Sequence, residues 1–197
     1  MSQTKTARLN LSAYTVLVVG GSAGSFPLVS KFLEALPANF PLPVLMCLHR
    51  LKDKREGFKE ALEVKSSLPV KEPVDKEAIE PGVVYVAPAN YHMLVEEGGR
   101  ISLSTTELVQ YSRPSIDVLF ESVADVYGAN ALGLLYSGAN RDGALGMMRM
   151  KAKGAYLVVQ DPDDSPMRTM PESAIAATEV DLVLTAAGIQ ETFKASS

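Results

Sequence analysis

The sequence has one cysteine, and this scarcity excludes two classes of site. Cys47 is the only cysteine among 197 residues and lies inside an apolar run. A single thiol can form neither a disulfide framework nor a thiolate metal site, and this usage fits a reducing compartment. The carboxylates offer no close pair at metal-binding spacing. We therefore predict neither a metal nor a cofactor.

The chain also lacks the features of membrane proteins and nucleic-acid-binding proteins. No apolar run approaches the roughly 20 residues of a membrane helix, and the first ten residues have no signal-peptide core. The net charge is −4, from 19 basic and 23 acidic residues, without a basic block. We expect no membrane insertion, no nucleic-acid binding and a cytoplasmic location. Residues 1–14 are predicted to be a flexible tail, followed by one domain over residues 15–197.

Apolar runs that alternate with helical patterns predict an α/β fold. The run from Thr15 to Val19 ends at two glycines, and apolar residues then recur at helical spacing from Leu28 to Leu36. A second run at residues 43–48 follows, and strand, helix and strand in this order imply a parallel pair with a right-handed crossover. Further strands are predicted at residues 68–71, 83–87, 131–136, 155–160 and 180–184. We expect a three-layer α/β/α domain with a mainly parallel, doubly wound sheet.

Two further segments form an antiparallel β-hairpin in this interpretation. The segments His92–Glu96 and Arg100–Ser104 flank Glu97-Gly98-Gly99, which is typical of a hairpin turn. We expect the hairpin to extend one side of the sheet. His92 is assigned a structural or rim role, since no neighbour in the sequence supplies a partner that would orient it as a base.

The turn after the first strand carries a candidate nucleophile, Ser22. The stretch Gly20-Gly21-Ser22-Ala23-Gly24 matches G-x-S-x-G, in which glycines allow a sharp turn that exposes the hydroxyl. A plain glycine turn that packs helix against strand is the structural alternative. A phosphate cradle is disfavoured, because the dinucleotide fingerprint needs glycine at this serine and no P-loop lysine follows.

A candidate base and a candidate acid also follow predicted strands. His49 comes directly after the second strand and before a charged stretch from Lys52 to Glu60, and Asp142 lies in the loop before a helix. The carboxyl ends of parallel strands share one edge of the sheet, where α/β proteins bind ligands. Ser22 could attack an ester, His49 could transfer the proton and Asp142 could orient the imidazole. Asp142 also fits an N-cap of its own helix, and the two roles can coexist.

Six motifs in order resemble the catalytic domain of the bacterial chemotaxis protein-glutamate methylesterases. They are VVGGSAGS, LHR, PGVVYVAPANYHM, RPSIDVLFESVA, YSGANRDGALGM, and VVQDP followed by MPESAIA, and they extend from about Val16 to Leu184. The resemblance implies a Ser22 nucleophile, a His49 base and an Asp142 acid. It further implies removal of methyl groups from glutamyl esters on the cytoplasmic helices of chemoreceptors, with release of methanol, and often deamidation of receptor glutamines.

The sequence departs from this family in three places. Ser25 stands where a second glycine is common, and Ala139 and Arg141 alter the loop before Asp142. The segment before Val16 is too short for the receiver domain that usually precedes such domains, so we expect a stand-alone or excised domain whose partner could be a separate receiver or other signalling protein. The alternative function is a regulatory or binding module that keeps the fold without turnover. Short loops predict an open site, with residues 111–113 and 161–169 as rims.

Overall fold

The structure, a computed structural model, describes residues 9–49 and 57–196. The first eight residues of the predicted tail, Arg50 of the LHR motif and the charged stretch up to Glu56 lie outside the described residues. No helix in the described ranges is long and apolar enough to cross a membrane.

Strands and helices alternate along most of the chain. In chain order the strands are β1 (Val16–Gly21), β2 (Val44–Leu48), β3 (Val70–Lys71), β4 (Val84–Val86), β5 (His92–Glu96), β6 (Arg100–Ser104), β7 (Ala131–Leu135), β8 (Tyr156–Gln160) and β9 (Leu182–Leu184). The helices are α1 (Phe26–Ala35), α2 (Phe58–Glu63), α3 (Ile116–Tyr127), α4 (Ala144–Ala152), α5 (Thr169–Ala177) and α6 (Ala186–Ala195).

Seven of the described strands form one parallel sheet in the order β3-β4-β2-β1-β7-β8-β9. Every residue of β1, β2 and β7 is buried. Strands that are covered on both faces have apolar side chains throughout, which is why these three appear in the sequence as uninterrupted apolar runs. The predicted three-layer α/β/α fold with a doubly wound sheet is confirmed.

Two apolar cores cover the two faces of the sheet. Leu17 and Val19 of β1 point toward α1, α2 and α6, and we call this side the α1 face. Val16 and Val18 point toward α3, α4 and α5, and we call this side the α3 face. Successive side chains of a strand alternate between faces, so the position of Gly20 is directed to the α3 face, where an added Cβ would meet Ile116.

The β-hairpin was correctly predicted, but its placement was not. β5 and β6 form a separate two-stranded sheet and do not extend the main one. Met93, Val95 and Ile101 bury one side of the hairpin in the core of the α3 face. The Val95 N–H also donates to Ser122 Oγ of α3 over 3.0 Å. The hairpin therefore buries its apolar side against α3.

The folded part of the chain begins earlier than the predicted boundary after residue 14. Leu9 and Leu11 are buried in the core of the α1 face, and the Leu9 N–H donates to Ser196 Oγ over 2.9 Å. Two leucines in a polar segment were too weak a pattern to indicate this contact with the last helix. Residues 9–14 thus pack with the domain.

Candidate active site

The site lies where the winding direction of the sheet reverses. β1 lies between β2 and β7, and the helices that follow β1 and β7 cover opposite faces. A crevice forms at such a switch point, at the carboxyl ends of the strands. Ser22 follows β1 and His49 follows β2, and the strand register pairs the residues immediately before them, Gly21 and Leu48. The Ser22 N–H donates to the Ser137 carbonyl after β7 over 2.9 Å.

Glycines and a buried serine shape the turn around Ser22. A Cβ at Gly20 would lie 2.6 Å from Ile116 Cγ2, so only glycine allows the start of α3 to rest on β1. Gly24 has a φ of +79°, and a Cβ there would lie 2.7 Å from Pro166 Cβ. The Ser25 hydroxyl donates to the Ser22 carbonyl over 2.7 Å. The side chain of Ser25 therefore adds a hydrogen bond that closes the turn.

Ser137 also stabilises the turn around Ser22 through hydrogen bonds. Its hydroxyl donates to the Ala23 carbonyl over 2.9 Å and accepts the Met167 N–H over 2.9 Å. Its own N–H donates to Gln160 Oε1 over 3.0 Å. The sequence alone does not distinguish this serine from any other small residue of a loop. It connects the Ser22 turn to the predicted rim at residues 161–169.

His49 and Asp142 form a short hydrogen bond. His49 Nε2 lies 2.7 Å from Asp142 Oδ2, and the exposed fractions of the two side chains are 12% and 0%. An ionised carboxylate can only accept, so Nε2 carries the proton and Nδ1 of the neutral imidazole is free to accept one. No hydrogen bond joins Ser22 Oγ to His49 within the described ranges. Of the predicted line of three groups, the structure therefore contains the His49–Asp142 contact.

Asp142 is held by α3, not by the helix that it precedes. Its Oδ1 accepts from Ser115 Oγ and the Asp117 N–H at 2.8 and 2.9 Å, and its Oδ2 accepts from the Ile116 N–H at 2.8 Å. The N-cap of α4 is Gly143, without a side-chain bond. The expectation that Asp142 caps its own helix was therefore wrong. Asp142 binds the N–H groups at the start of α3 and not those of α4, because the former converge on the carboxylate from a helix packed across the crevice.

The pKa of Asp142 is lowered despite its burial. Burial alone would raise this pKa, but the hydrogen bond from His49 and the N–H groups of Asp117 and Ile116 stabilise the ionised form more strongly. The positive end of the α3 dipole acts in the same direction. The carboxylate therefore stays charged at neutral pH and remains an acceptor for the imidazole.

His92 stabilises the start of α3, which holds Asp142. It is fully buried, its Nε2–H donates to the Glu107 carbonyl over 3.0 Å, and its Nδ1 accepts the Ser115 N–H over 3.2 Å. Both ring nitrogens are thus occupied, which agrees with the structural role assigned from the sequence. Sequence reasoning missed that His92 fixes Ser115, a donor to Asp142. The RPSID motif carries this serine, but only contact across the fold reveals its role.

Two cavities lie near the site, and the neighbouring residues Gln110 and Tyr111 each line one of them. The smaller, of about 270 Å³, is lined by His49, Asn90, Leu108, Tyr111, Ser112, Arg113 and Pro114. The larger, of about 770 Å³, is lined by Gln110, Arg141, Ala144, Leu145, Thr169, Glu172, Ser173, Ala176 and Ala177. Tyr111 is 95% exposed. The predicted rim at residues 111–113 therefore borders the His49 cavity.

Backbone donors lie close to Ser22. The N–H groups of Ala23 and Gly24 have no hydrogen-bond acceptor among the described residues, whereas the Gly138 N–H donates to Met167 over 3.2 Å. The turn after Ser22 thus has N–H groups to offer to an oxyanion, whereas the Gly138 N–H is engaged elsewhere. Within the same ranges no group of three or more metal-ligating side chains is found.

A parallel α/β sheet with a serine turn and an aspartate-bound histidine at its carboxyl edge is the framework of a hydrolase. The family model described as CheB methylesterase matches residues 17–193. The chain therefore belongs to the CheB methylesterase family of enzymes. A putative protein-glutamate methylesterase/protein-glutamine glutaminase of Leptospira interrogans is 42% identical, over 91% of this chain and 93% of that protein.

Other relatives are longer, and a solved structure shares the fold. A protein-glutamate methylesterase/protein-glutamine glutaminase of Chromohalobacter salexigens is 38% identical over 85% of this chain, which spans 48% of that protein. The crystal structure of the Thermotoga maritima CheB methylesterase catalytic domain matches with a TM-score of 0.86 at 27% identity. This match covers 92% of the present chain and 97% of the Thermotoga chain.

Proposed function

We propose that this protein is a serine hydrolase that removes methyl groups from glutamyl methyl esters of chemoreceptors and releases methanol. The observation that carries the proposal is the 2.7 Å bond between His49 Nε2 and Asp142, which leaves Nδ1 as the ring nitrogen that can accept the proton of Ser22. Because the neutral imidazole can accept a proton only at Nδ1, this nitrogen is the base. Membership of the family and the names of the relatives supply the substrate class.

Acylation begins when Ser22 Oγ attacks the ester carbonyl while His49 Nδ1 takes its proton. The negative charge that develops on the carbonyl oxygen is stabilised by the N–H groups of Ala23 and Gly24, which have no other acceptor among the described residues. Asp142 stabilises the imidazolium through Nε2. The proton then passes to the departing methoxide, and methanol leaves.

Deacylation reverses the roles with water as the nucleophile. His49 takes a proton from water, hydroxide adds to the acyl carbonyl, and the proton returns to Ser22 as the receptor is released with a free glutamyl carboxylate. The same path acts on a glutamine amide, with ammonia as the leaving group in place of methanol. We propose this deamidation as a second activity, which agrees with the names of the relatives.

The proposed substrate is an ester on a protein helix. A receptor helix presents its glutamates on a convex surface, and the small cavity at His49 is bordered by a strongly exposed tyrosine, Tyr111. Within the described ranges, residues 108 and 111–114 border this cavity together with His49 and Asn90. An open rim suits a helix better than a small soluble ester.

Methanol release from methylated receptor membranes tests the proposal, together with labelling of Ser22 by a phosphonate ester. We expect Ser22→Ala and His49→Ala each to remove most of the turnover, and the double variant to lose little more, because the groups act as a unit. Ser12→Ala, at an exposed serine before β1, should react and turn over normally. Near-normal turnover in Ser22→Ala excludes the mechanism, and labelling of Ser22 without methanol release supports a module that has lost turnover.

A further inference from the structure

Near the start of each of the helices α3 and α4, a carboxylate accepts N–H groups at the start of the other helix. Asp142, just before α4, accepts N–H groups of α3, as described above. Asp117, in the first turn of α3, accepts the N–H groups of Gly143 and Gly146 at 2.8 Å each through Oδ1. Each helix start thus binds the acid that the other helix supplies. Free N–H groups and the helix dipole both favour a negative charge at these positions.

Close packing keeps the two helix starts in register. A Cβ at Gly146 would lie 2.5 Å from Phe120 Cβ, and one at Gly143 would lie 2.9 Å from Ile116 Cγ2. Gly143 also has a φ of +99°, which side-chain-bearing residues rarely adopt. Asp117 therefore holds the residue that is covalently joined to Asp142. A displacement of Gly143 would move the carboxylate that binds His49.

Gln110 holds Asp117 in turn. Its amide Nε2 donates to Asp117 Oδ2 over 2.7 Å, and Gln110 also lines the larger cavity. The backbone at Gln110 and Tyr111 is left-handed, with φ of +47° and +63°, and the flanking Val109 and Ser112 exchange two backbone hydrogen bonds. This tight turn directs the amide toward Asp117. A chain of contacts thus leads from the rim to the candidate acid.

The ionisable groups that act on Asp117 are themselves acidic. Burial raises its pKa to about 6, bonds from Gly146 and Gly143 oppose the rise, and the charges of Asp142 and Glu121 add to it. No lysine or arginine forms an ion pair with Asp117 in the part of the chain that the structure describes. From β5, His92 faces Ser115 at the same helix start. Ionised Asp117 therefore adds negative charge beside the His49–Asp142 pair.

We propose that Asp117 is a positioning residue of this enzyme, which fixes the Asp142–Gly143 peptide and thereby the carboxylate that orients His49. Gln110 is the side chain that holds Asp117 for this task. The inference rests on the function proposed above for His49 and Asp142. Asp117 does not contact the reacting atoms, so its effect is expected in turnover and its pH profile and not in substrate binding.

The test compares Asp117→Ala with Asp117→Asn. Alanine leaves two N–H groups without an acceptor, and we expect kcat to fall at least about tenfold with KM unchanged, because a small displacement of a catalytic group is costly. Asparagine keeps the acceptor and should restore kcat to within about threefold, but it removes a charge. The acidic limb of its rate–pH profile should therefore move to lower pH, because a negative neighbour favours the protonated imidazole.

The matched control is Asp181→Ala, at a carboxylate that accepts the Leu157 N–H over 2.8 Å at the opposite edge of the sheet. It should lower thermal stability without lowering kcat. If Asp117→Ala does not fold, the test uses Gln110→Ala and the rate–pH profile of Asp117→Asn. The proposal is overturned if Gln110→Ala has an unchanged kcat and Asp117→Asn has an unchanged acidic limb. Full kcat in Asp117→Ala overturns it as well. Turnover in His49→Ala would instead contradict the proposed function itself.

Discussion

Replacing Asp142 by asparagine tests the geometry of the site most directly. One orientation of the amide keeps its oxygen toward Ser115 and Asp117 and leaves only the Ile116 N–H without an acceptor. The opposite orientation deprives both the Asp117 N–H and the Ser115 hydroxyl of an acceptor. The first is therefore favoured by one hydrogen bond, or about 1 kcal/mol.

In the favoured orientation the amide NH₂ faces His49 Nε2, which must then accept. The imidazole proton moves to Nδ1, and this nitrogen can no longer take the proton of Ser22. The equivalent change in the serine proteases costs about 10⁴ in kcat, or about 5.5 kcal/mol of transition-state stabilisation. We expect a loss of the same order. The unpaired Ile116 N–H should cost a further ~1–3 kcal/mol of folding stability.

Three measurements check this expectation for Asp142→Asn. Methanol release gives kcat, and thermal melting should show a fall of roughly 2–4 °C per kcal/mol for a chain of this size. Ring nitrogen NMR reads the tautomer directly, since the chain has two histidines and His92 serves as an internal reference. A variant that keeps more than about a tenth of kcat, or a wild-type His49 with its proton on Nδ1, refutes the reasoning.

Two further predictions concern packing and pH. Gly20→Ala would place a Cβ 2.6 Å from Ile116 Cγ2 and shift the start of α3, so we expect kcat to fall roughly a hundredfold. Gly133→Ala, whose Cβ would lie 3.1 Å from flexible side-chain ends, should affect melting alone, and equal kcat in both variants would contradict the argument. The pKa of Asp117 is raised from 3.8 to about 6, so the folded state holds its proton more tightly. Ionisation of Asp117 should therefore lower the free energy of unfolding progressively as pH rises from about 4 to 6, by ~3 kcal/mol at most. In urea melts, Asp117→Asn should lack this dependence of the unfolding free energy on pH.

The positions of Ser22 and His49 could be predicted because they depend on local patterns and one topological rule. Apolar runs identify buried strands, and the order strand, helix, strand makes neighbouring strands parallel. The residues just after such strands must share an edge. Asp142 could be placed at the same edge for the same reason, although its contact with α3 could not.

The support around Asp142 could not be predicted, because it depends on contacts between distant segments. An aspartate before a helix resembles an N-cap of that helix, yet the N–H groups that reach Asp142 belong to residues 25 and 26 positions earlier. Asp117 resembled an ordinary polar residue of an amphipathic helix. The hairpin was misplaced for a related reason, since alternation identifies an apolar side but not what covers it.

The way in which Asp142 is held determines which group limits the reaction in acid. Its pKa is lowered, so the carboxylate remains ionised at and well below neutral pH and always accepts from His49. Nε2 therefore keeps its proton, and Nδ1 is the only ring nitrogen that can serve Ser22. In the proposed mechanism, we therefore expect that loss of activity on acidification does not follow protonation of Asp142. Because α3 and its N-cap Ser115 supply three of the four donors to Asp142, the position of that helix start favours the single tautomer of His49 that the proposed mechanism needs.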